Sequence, residues 1–309
     1  MGGFIMNRRR FVKNIISGGT GLYLGIDPFN LFASEGMKVI TVLHTNDLHC
    51  HIEPFSGSEA HLNGKGGMAR ISRYAQLARA QNPNTLLLDG GDMFQGTPYF
   101  NYFKGEVIFK AMSQAGYDAG TIGNHEFDNK LEGIDNVIGN AQFPLICSNY
   151  DFSDTILHNK FPRYKVFKKS GIRIGIYGLG IELKGLVSES HYGNTIYIDP
   201  LQVAMEIESF LSHEMKCDLV ICLSHLGHSY KNGKISDLVI ATETKFTDLV
   251  VGGHSHTYLA EPVQVKNKRG EMAVVNQAWW GGLMLGRIDF VFQAETGKKS
   301  TTFANKINE

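Results

Sequence analysis

A chain of 309 residues, 43% hydrophobic and 19% charged, has enough apolar material for one large packed domain and is unlike an intrinsically disordered sequence. Lys+Arg and Asp+Glu each number 30, so the formal net charge is zero and no net basic field exists to hold a nucleic-acid polymer. The four cysteines (Cys50, Cys147, Cys217 and Cys222) form no CxxC pair, which argues against a zinc ribbon or haem attachment and for buried free thiols.

The chain opens with Arg8-Arg9-Arg10-Phe11-Val12-Lys13 ahead of a short, Gly-rich apolar stretch. Positive charge before a short apolar run is the pattern of an export signal, and the paired arginines resemble the twin-arginine type. Residues 1–36 are therefore expected to be a signal and linker, placing the protein in the periplasm or beyond. Gly18, Gly19, Gly21, Gly25 and Pro28 break the stretch too often for a membrane span, and none is expected elsewhere.

Folding is expected to start near residue 38. Residues 38–45 (KVITVLHT) read as a buried strand, 66–80 as an amphipathic helix, and 84–89 as a second strand. A helix over 106–114, a short strand to 122 and another strand over 143–148 follow. Residues 163–178 hold two strand-like runs split by Ser170-Gly171, a hairpin signal. A helix over 200–215 and strands at 218–223, 247–251, 272–276 and 284–292 complete the series. Strands alternating with helices predict an α/β layered fold. One domain over 37–294 is expected, with 295–309 a polar, frayed tail.

Polar motifs cluster where the strands end. Asp47 and His49 follow the first strand, Asp92 the second, Asn124 and His125 the third; His225, and then His254 with His256, follow two later ones. In open α/β sheets, ligands bind at the carboxyl ends of strands, so these residues are expected to converge despite their separation in sequence. Imidazole, carboxylate and amide oxygens together suit divalent metal ions. His44 is expected to point into the core and His51 to sit on a solvated loop. Arg70, Arg73 and Arg79 are expected on a solvated helix face; Trp279-Trp280 fits a substrate mouth or simple packing equally well.

The ordered set DLH, GGD, GNHEFD, His225 and GHSH resembles the calcineurin-like metallophosphoesterase superfamily. The longer strings LHTNDLH, GGDMFQGTPY and GNHEFD resemble its bacterial 5'-nucleotidase branch. The resemblance implies a layered metallophosphoesterase fold, with sheets flanked by helices and a two-metal site at the strand ends. It implies one divalent metal held by Asp47, His49, Asp92 and His256, and a second held by Asp92, Asn124, His225 and His254, with Asp92 bridging. His125 matches the catalytic histidine and Asp128 its carboxylate partner. Two divalent cations would outweigh the two carboxylates and leave positive charge for a phosphate. The implied activity is hydrolysis of 5'-nucleotides or related phosphomonoesters by metal-activated water. Related hydrolases act on cyclic nucleotides, nucleotide sugars or sulfur esters, and a non-catalytic binding module is the alternative from another class. Longer members carry a C-terminal nucleotide-binding domain, so a separate nucleotide-binding polypeptide is an expected partner, and the chain alone is expected to discriminate little among bases.

Overall fold

The computed structural model describes residues 37–56, 60–293 and 299–307, so the expected export signal lies outside the described residues. Two sheets form the centre. The first has the order β13-β12-β1-β2-β3, built from Met37–Thr45 (β1), Thr85–Asp89 (β2), Ala119–Gly120 (β3), Met284–Gln293 (β12) and Lys299–Ile307 (β13). The second has the order β10-β11-β9-β8-β6-β5. Its strands are Tyr164–Lys169 (β5), Ile172–Leu179 (β6), Leu219–Ser224 (β8), Leu249–Val251 (β9), Val263–Lys266 (β10) and Met272–Asn276 (β11). Tyr150–Asp151 (β4) and Ile196–Tyr197 (β7) make a small separate pair.

The period-two alternation of strands explains how these layers stack. In β1 and β2, Ile40, Val42, Leu86 and Leu88 face inward. They meet Ile174, Ile176, Ile221, Leu223, Leu249 and Val251 from the second sheet in one buried cluster. Leu43 and Leu87 point the other way, onto helices Met68–Gln81 (α1) and Glu106–Ala115 (α3), through Ile71, Ala75, Ile108 and Met112. Pro98–Phe103 (α2) lies between those two helices in sequence. On the far side, Tyr177, Val220, Cys222 and Val250 cover helices Pro200–His213 (α6) and Asp237–Glu243 (α7), with Val203, Ile207 and Ile240 opposite them. The result is helix–sheet–sheet–helix, the layered α/β arrangement expected from the sequence. Lys130–Ile138 (α4) and the short Glu189–Tyr192 (α5) lie at the edge of the first half.

This stacking sets the position of the site. β1, β2 and β3 run parallel, as do β6, β8, β9 and β11. The loops after β1, β2, β3, β8, β9 and β11 meet across the two sheets: Asp47 N–H donates to Gly91 O at 2.8 Å, Gly281 N–H to Asp47 O at 2.7 Å, and Gly252 N–H to Asn276 O at 2.9 Å.

Two expectations are corrected. Residues 295–309 are not simply a frayed tail: Lys299–Ile307 pairs antiparallel along the length of β12, from Met284↔Ile307 to Phe292↔Lys299, and covers the edge that β12 would otherwise present. The strand expected over 143–148 shrinks to a single bridge, Gly120↔Leu145. Its amides leave in different directions, Ile146 N–H to Gly120 O in the first sheet and Ser148 N–H to Gly178 O in the second, so the segment ties the sheets together instead of extending either.

The thiols are free, with Cys50, Cys147 and Cys222 buried, as expected. His44 is fully buried: Gly286 leaves room for its ring, Asn276 Nδ2 contacts its Nε2 at 2.8 Å, and burial lowers its pKa to about 3. The arginines do more than face solvent. Arg79 reaches the end of α3, donating to Gly116 O and pairing with Asp118 at 2.8 Å, and Arg70 donates to Gly64 O and Gly66 O.

Candidate metal centre

The seven residues expected as metal ligands converge. One atom from each of Asp47, His49 and His256 lies within 4.8 Å of the others, and the same holds for Asp92, His225 and His254. Asn124 joins the second group, its Oδ1 2.9 Å from His254 Nδ1. Asp47 links the two groups by accepting the His254 backbone N–H at 3.0 and 3.1 Å. Asp47, His49, Asp92, Asn124 and His225 are all buried, while His254 and His256 are half-buried at the mouth.

The backbone is bent to bring these groups together. Asp47 (φ 50), His49 (φ 47), Asp92 (φ 56), His254 (φ 73) and His256 (φ 48) all adopt left-handed conformations, which side-chain-bearing residues rarely take and which collect at functional sites. The motif glycines serve a spatial purpose. A Cβ on Gly123 would stand 2.2 Å from Asp92 Oδ1 and 2.6 Å from His225 Nε2, so no other residue fits there without displacing two ligands.

The donor set fits cations, and the ring orientations show why. His225 Nδ1 lies 2.8 Å from Gly90 O, a group that can only accept, so Nδ1 carries hydrogen. Its Nε2 is then the atom that faces Asp92 Oδ2, 2.9 Å away, in the buried part of the second group. His49 repeats the pattern. Its Nδ1 meets Phe94 O at 3.1 Å, and its Nε2 faces His256 Nε2 at 3.0 Å. Imidazole nitrogens turned toward a carboxylate or another imidazole, each with its other nitrogen held by a carbonyl, fit a divalent cation between them. Without a cation, a proton takes its place between His225 and Asp92. Burial opposes charging His225, yet Asp92 beside it raises its pKa to about 10; burial opposes ionising Asp92, yet His225 holds it below the usual carboxylate range. Burial and then His225 push His254 down to about 4, leaving it neutral and able to coordinate.

His125 and Asp128 sit on a short 3-10 turn, His125–Asn129, directly after Asn124. Their Nδ1–Oδ2 separation is 2.6 Å, and the His125 backbone N–H donates to Asp92 Oδ1 at 2.8 Å. The ring stands edge-on to His49, with centroids 5.3 Å apart. Partial burial lowers its pKa, but the hydrogen bond to Asp128 and the charge of Asp92 prevail and raise it to about 9, so the ring is cationic at neutral pH.

Sequence reasoning missed the supports. Glu126, fully buried, accepts the backbone N–H groups of Gly123 (2.6 Å), Met93 (2.7 Å), Phe94 (3.0 Å) and Asp92 (3.1 Å), locking the Asp92 loop to the Asn124 loop. Burial and Asp92 push its carboxyl up to about 7 in spite of those donors. Asn46 donates to Asp47 Oδ2 at 2.5 Å and to Trp279 O at 2.6 Å, and Gln277 bridges Asp237 and Gly253 O at 2.8 Å each. GNHEFD displayed Glu126 plainly, but only the fold shows four amides pointing at it. Trp280 belongs to the mouth, its ring parallel to His256 at 5.8 Å; His51 is not simply solvated, since it stacks on Phe55 at 4.3 Å.

The family model described as calcineurin-like phosphoesterase matches residues 40–258. A snake venom 5'-nucleotidase from Gloydius brevicauda is 33% identical over 284 residues, which cover 85% of this chain and 47% of the relative. The solved 5'-nucleotidase precursor from Thermus thermophilus is 31% identical with a TM-score of 0.75, covering 87% of this chain and 55% of that one. The NAD nucleotidase of Haemophilus influenzae superimposes with a TM-score of 0.77 at 27% identity, covering 89% and 51%. The chain spans about half the length of these relatives. With its strand-end motifs, its layered sheets and its paired acid–imidazole clusters, the chain belongs to the calcineurin-like phosphoesterase family.

Proposed function

We propose that the chain is an exported phosphoesterase that uses two divalent cations to hydrolyse 5'-nucleotides or related phosphomonoesters. The observation carrying this reading is the pair of adjoining clusters, Asp47/His49/His256 and Asp92/His225/His254, with the His125–Asp128 pair at their edge. Asp92 has one oxygen toward His225, and its charge is the largest influence opposing the burial that lowers the His49 pKa, so it stands beside residues of both groups. Bound divalent cations supply Lewis-acid charge and lower the pKa of the attacking water. The chain's own residues do the rest. The His125 ring, cationic and fixed by Asp128, offers its free N–H to a phosphoryl oxygen or a proton to the leaving oxygen. Asn124 and the histidines hold metal without adding negative charge that would repel the substrate. The 5'-nucleotidase names of several relatives support the substrate class.

Product formation from AMP, a cyclic nucleotide, a nucleotide sugar and a simple ester, followed by chromatography with Mn²⁺ present, tests the reading. AMP and the simple ester should be hydrolysed. Turnover restricted to the cyclic nucleotide or the nucleotide sugar would move the substrate assignment, and none on any ester would overturn it.

The export proposal rests on Arg8, Arg9, Phe11 and Lys13. Changing Arg8, Arg9 and Arg10 to Lys should leave precursor in the cytoplasm, because the twin-arginine route reads arginine specifically. Undiminished export of that variant, followed by cell fractionation, would point to a different route.

A further inference from the structure

His254 and His256 sit two residues apart on one loop, yet they belong to different clusters. Both hold left-handed backbones, with φ of 73 and 48, and such conformations persist only where the surroundings over-determine them. The loop lies beyond the end of β9, so the sheet ladder does not fix it.

Gln277, fully buried just after β11, fixes it with every hydrogen-bonding position of its amide. Its Nε2 donates to Gly253 O and to Asp237 Oδ2, at 2.8 Å each. Its Oε1 accepts the Thr257 backbone N–H at 2.9 Å and the Ser255 hydroxyl at 3.2 Å. A primary amide has two N–H donors and two lone pairs, and all four are used here. The three loop contacts bracket both histidines: Gly253 precedes His254, Ser255 separates the pair, and Thr257 follows His256. Ser255 is anchored in turn, its hydroxyl oxygen accepting the His228 N–H at 2.9 Å.

The same network reaches a third histidine. Asp237, fully buried at the start of α7, takes the Gln277 N–H on Oδ2 and the Ser224 hydroxyl on Oδ1 at 2.6 Å. Ser224 ends β8, directly before His225. A chain of polar side chains, Ser224–Asp237–Gln277, therefore ties the loop of His225 to the loop of His254 and His256. The fit is close: a Cβ on Gly252 would stand 1.9 Å from Asp237 Oδ2 and 3.0 Å from Gln277 Cγ. These bonds run to backbone groups and to neighbours of the histidines, so Gln277 acts on the ligands through their loop.

We propose that Gln277 is a positioning residue that fixes His254 and His256 relative to each other, so that one loop serves both cation sites at once. The proposal rests on the two-cation reading and adds the residue that joins the geometry of one site to that of the other.

The metal-free full chain is titrated with Mn²⁺ in a calorimeter. Gln277→Glu keeps the side-chain shape and the acceptor for Thr257, but loses both donated bonds and sets a carboxylate against Asp237. Affinity at both sites should fall together, by about 10- to 100-fold, the size expected when a group that orients metal ligands is lost. A residue serving stability alone would lower the melting temperature and leave the affinities of the folded protein unchanged. Ser255→Ala, at an exposed position, removes only the outer contacts and serves if Gln277→Glu fails to fold; both affinities should fall there too. Unchanged affinities in the folded variant, or a loss confined to one site, overturn the proposal. If the unmodified chain binds no Mn²⁺, the two-cation reading fails instead; amide hydrogen exchange at residues 253–257 of the metal-free chain, faster in Gln277→Glu or not, then decides the clamp by itself.

Discussion

Asp92→Asn is expected to abolish turnover while leaving the fold intact. Asp92 Oδ1 accepts the His125 N–H at 2.8 Å, and an asparagine oxygen can keep that bond. The second position faces His225 Nε2 at 2.9 Å. An asparagine NH₂ there would donate into the lone pair that the metal needs and close the site with an internal hydrogen bond. The substitution also removes the buried charge closest to Glu126, whose carboxyl Asp92 destabilises. Metal binding should weaken by roughly 150- to 4000-fold, since losing one partner of a buried charge pair costs about 3–5 kcal/mol. Thermal stability of the metal-free protein should fall without loss of the fold, because His225 loses its buried charge partner. Calorimetric metal titration and a melting curve check both halves, and an unfolded variant would show that Asp92 serves the fold more than the metal.

His125→Ala should retain metal and lose rate. The side chain of His125 belongs to neither metal cluster; its ring meets Asp128 at 2.6 Å and the edge of His49. Removing a positioned acid costs ~10²–10⁴-fold in kcat. Asp128→Asn should cost less and leave a pH signature. Asp128 is the strongest influence raising the His125 pKa toward 9, so without it the ring loses its proton at lower pH, and the alkaline limb of the rate profile should shift to lower pH. Loss of metal from His125→Ala, or an alkaline limb unmoved in Asp128→Asn, would contradict the assigned roles.

What the sequence disclosed, and what it hid, follows from how local each signal is. β1, β2 and β8 were legible because both faces are buried and their residues form apolar runs. The convergence of the candidate ligands was legible because each follows such a strand, and Asp92, Asn124 and His254 come directly after a glycine. The segment 143–148 misled because its apolar residues serve two sheets at once, and composition cannot show where amides go. Lys299–Ile307 misled in the opposite sense: an edge strand needs only one neighbour, and its polar sequence gives no burial signal. Glu126 was hidden because its partners are backbone groups that become a nest only when the Asp92 and Asn124 loops are brought together. An aromatic cleft was hidden for the same reason. Phe55, Tyr99 and Trp280 come from three separate loops or helices, and only the fold sets Trp280 against His256, and Phe55 and Tyr99 around one cleft.

The proposed hydrolysis needs both clusters, each holding one cation. Metal-free chain, verified by elemental analysis, can be titrated with Mn²⁺ while phosphate release from AMP is followed. No turnover is expected without metal, and full turnover only as the second equivalent binds. Full turnover by metal-free protein, or activity saturating at one equivalent, would contradict the two-cation mechanism.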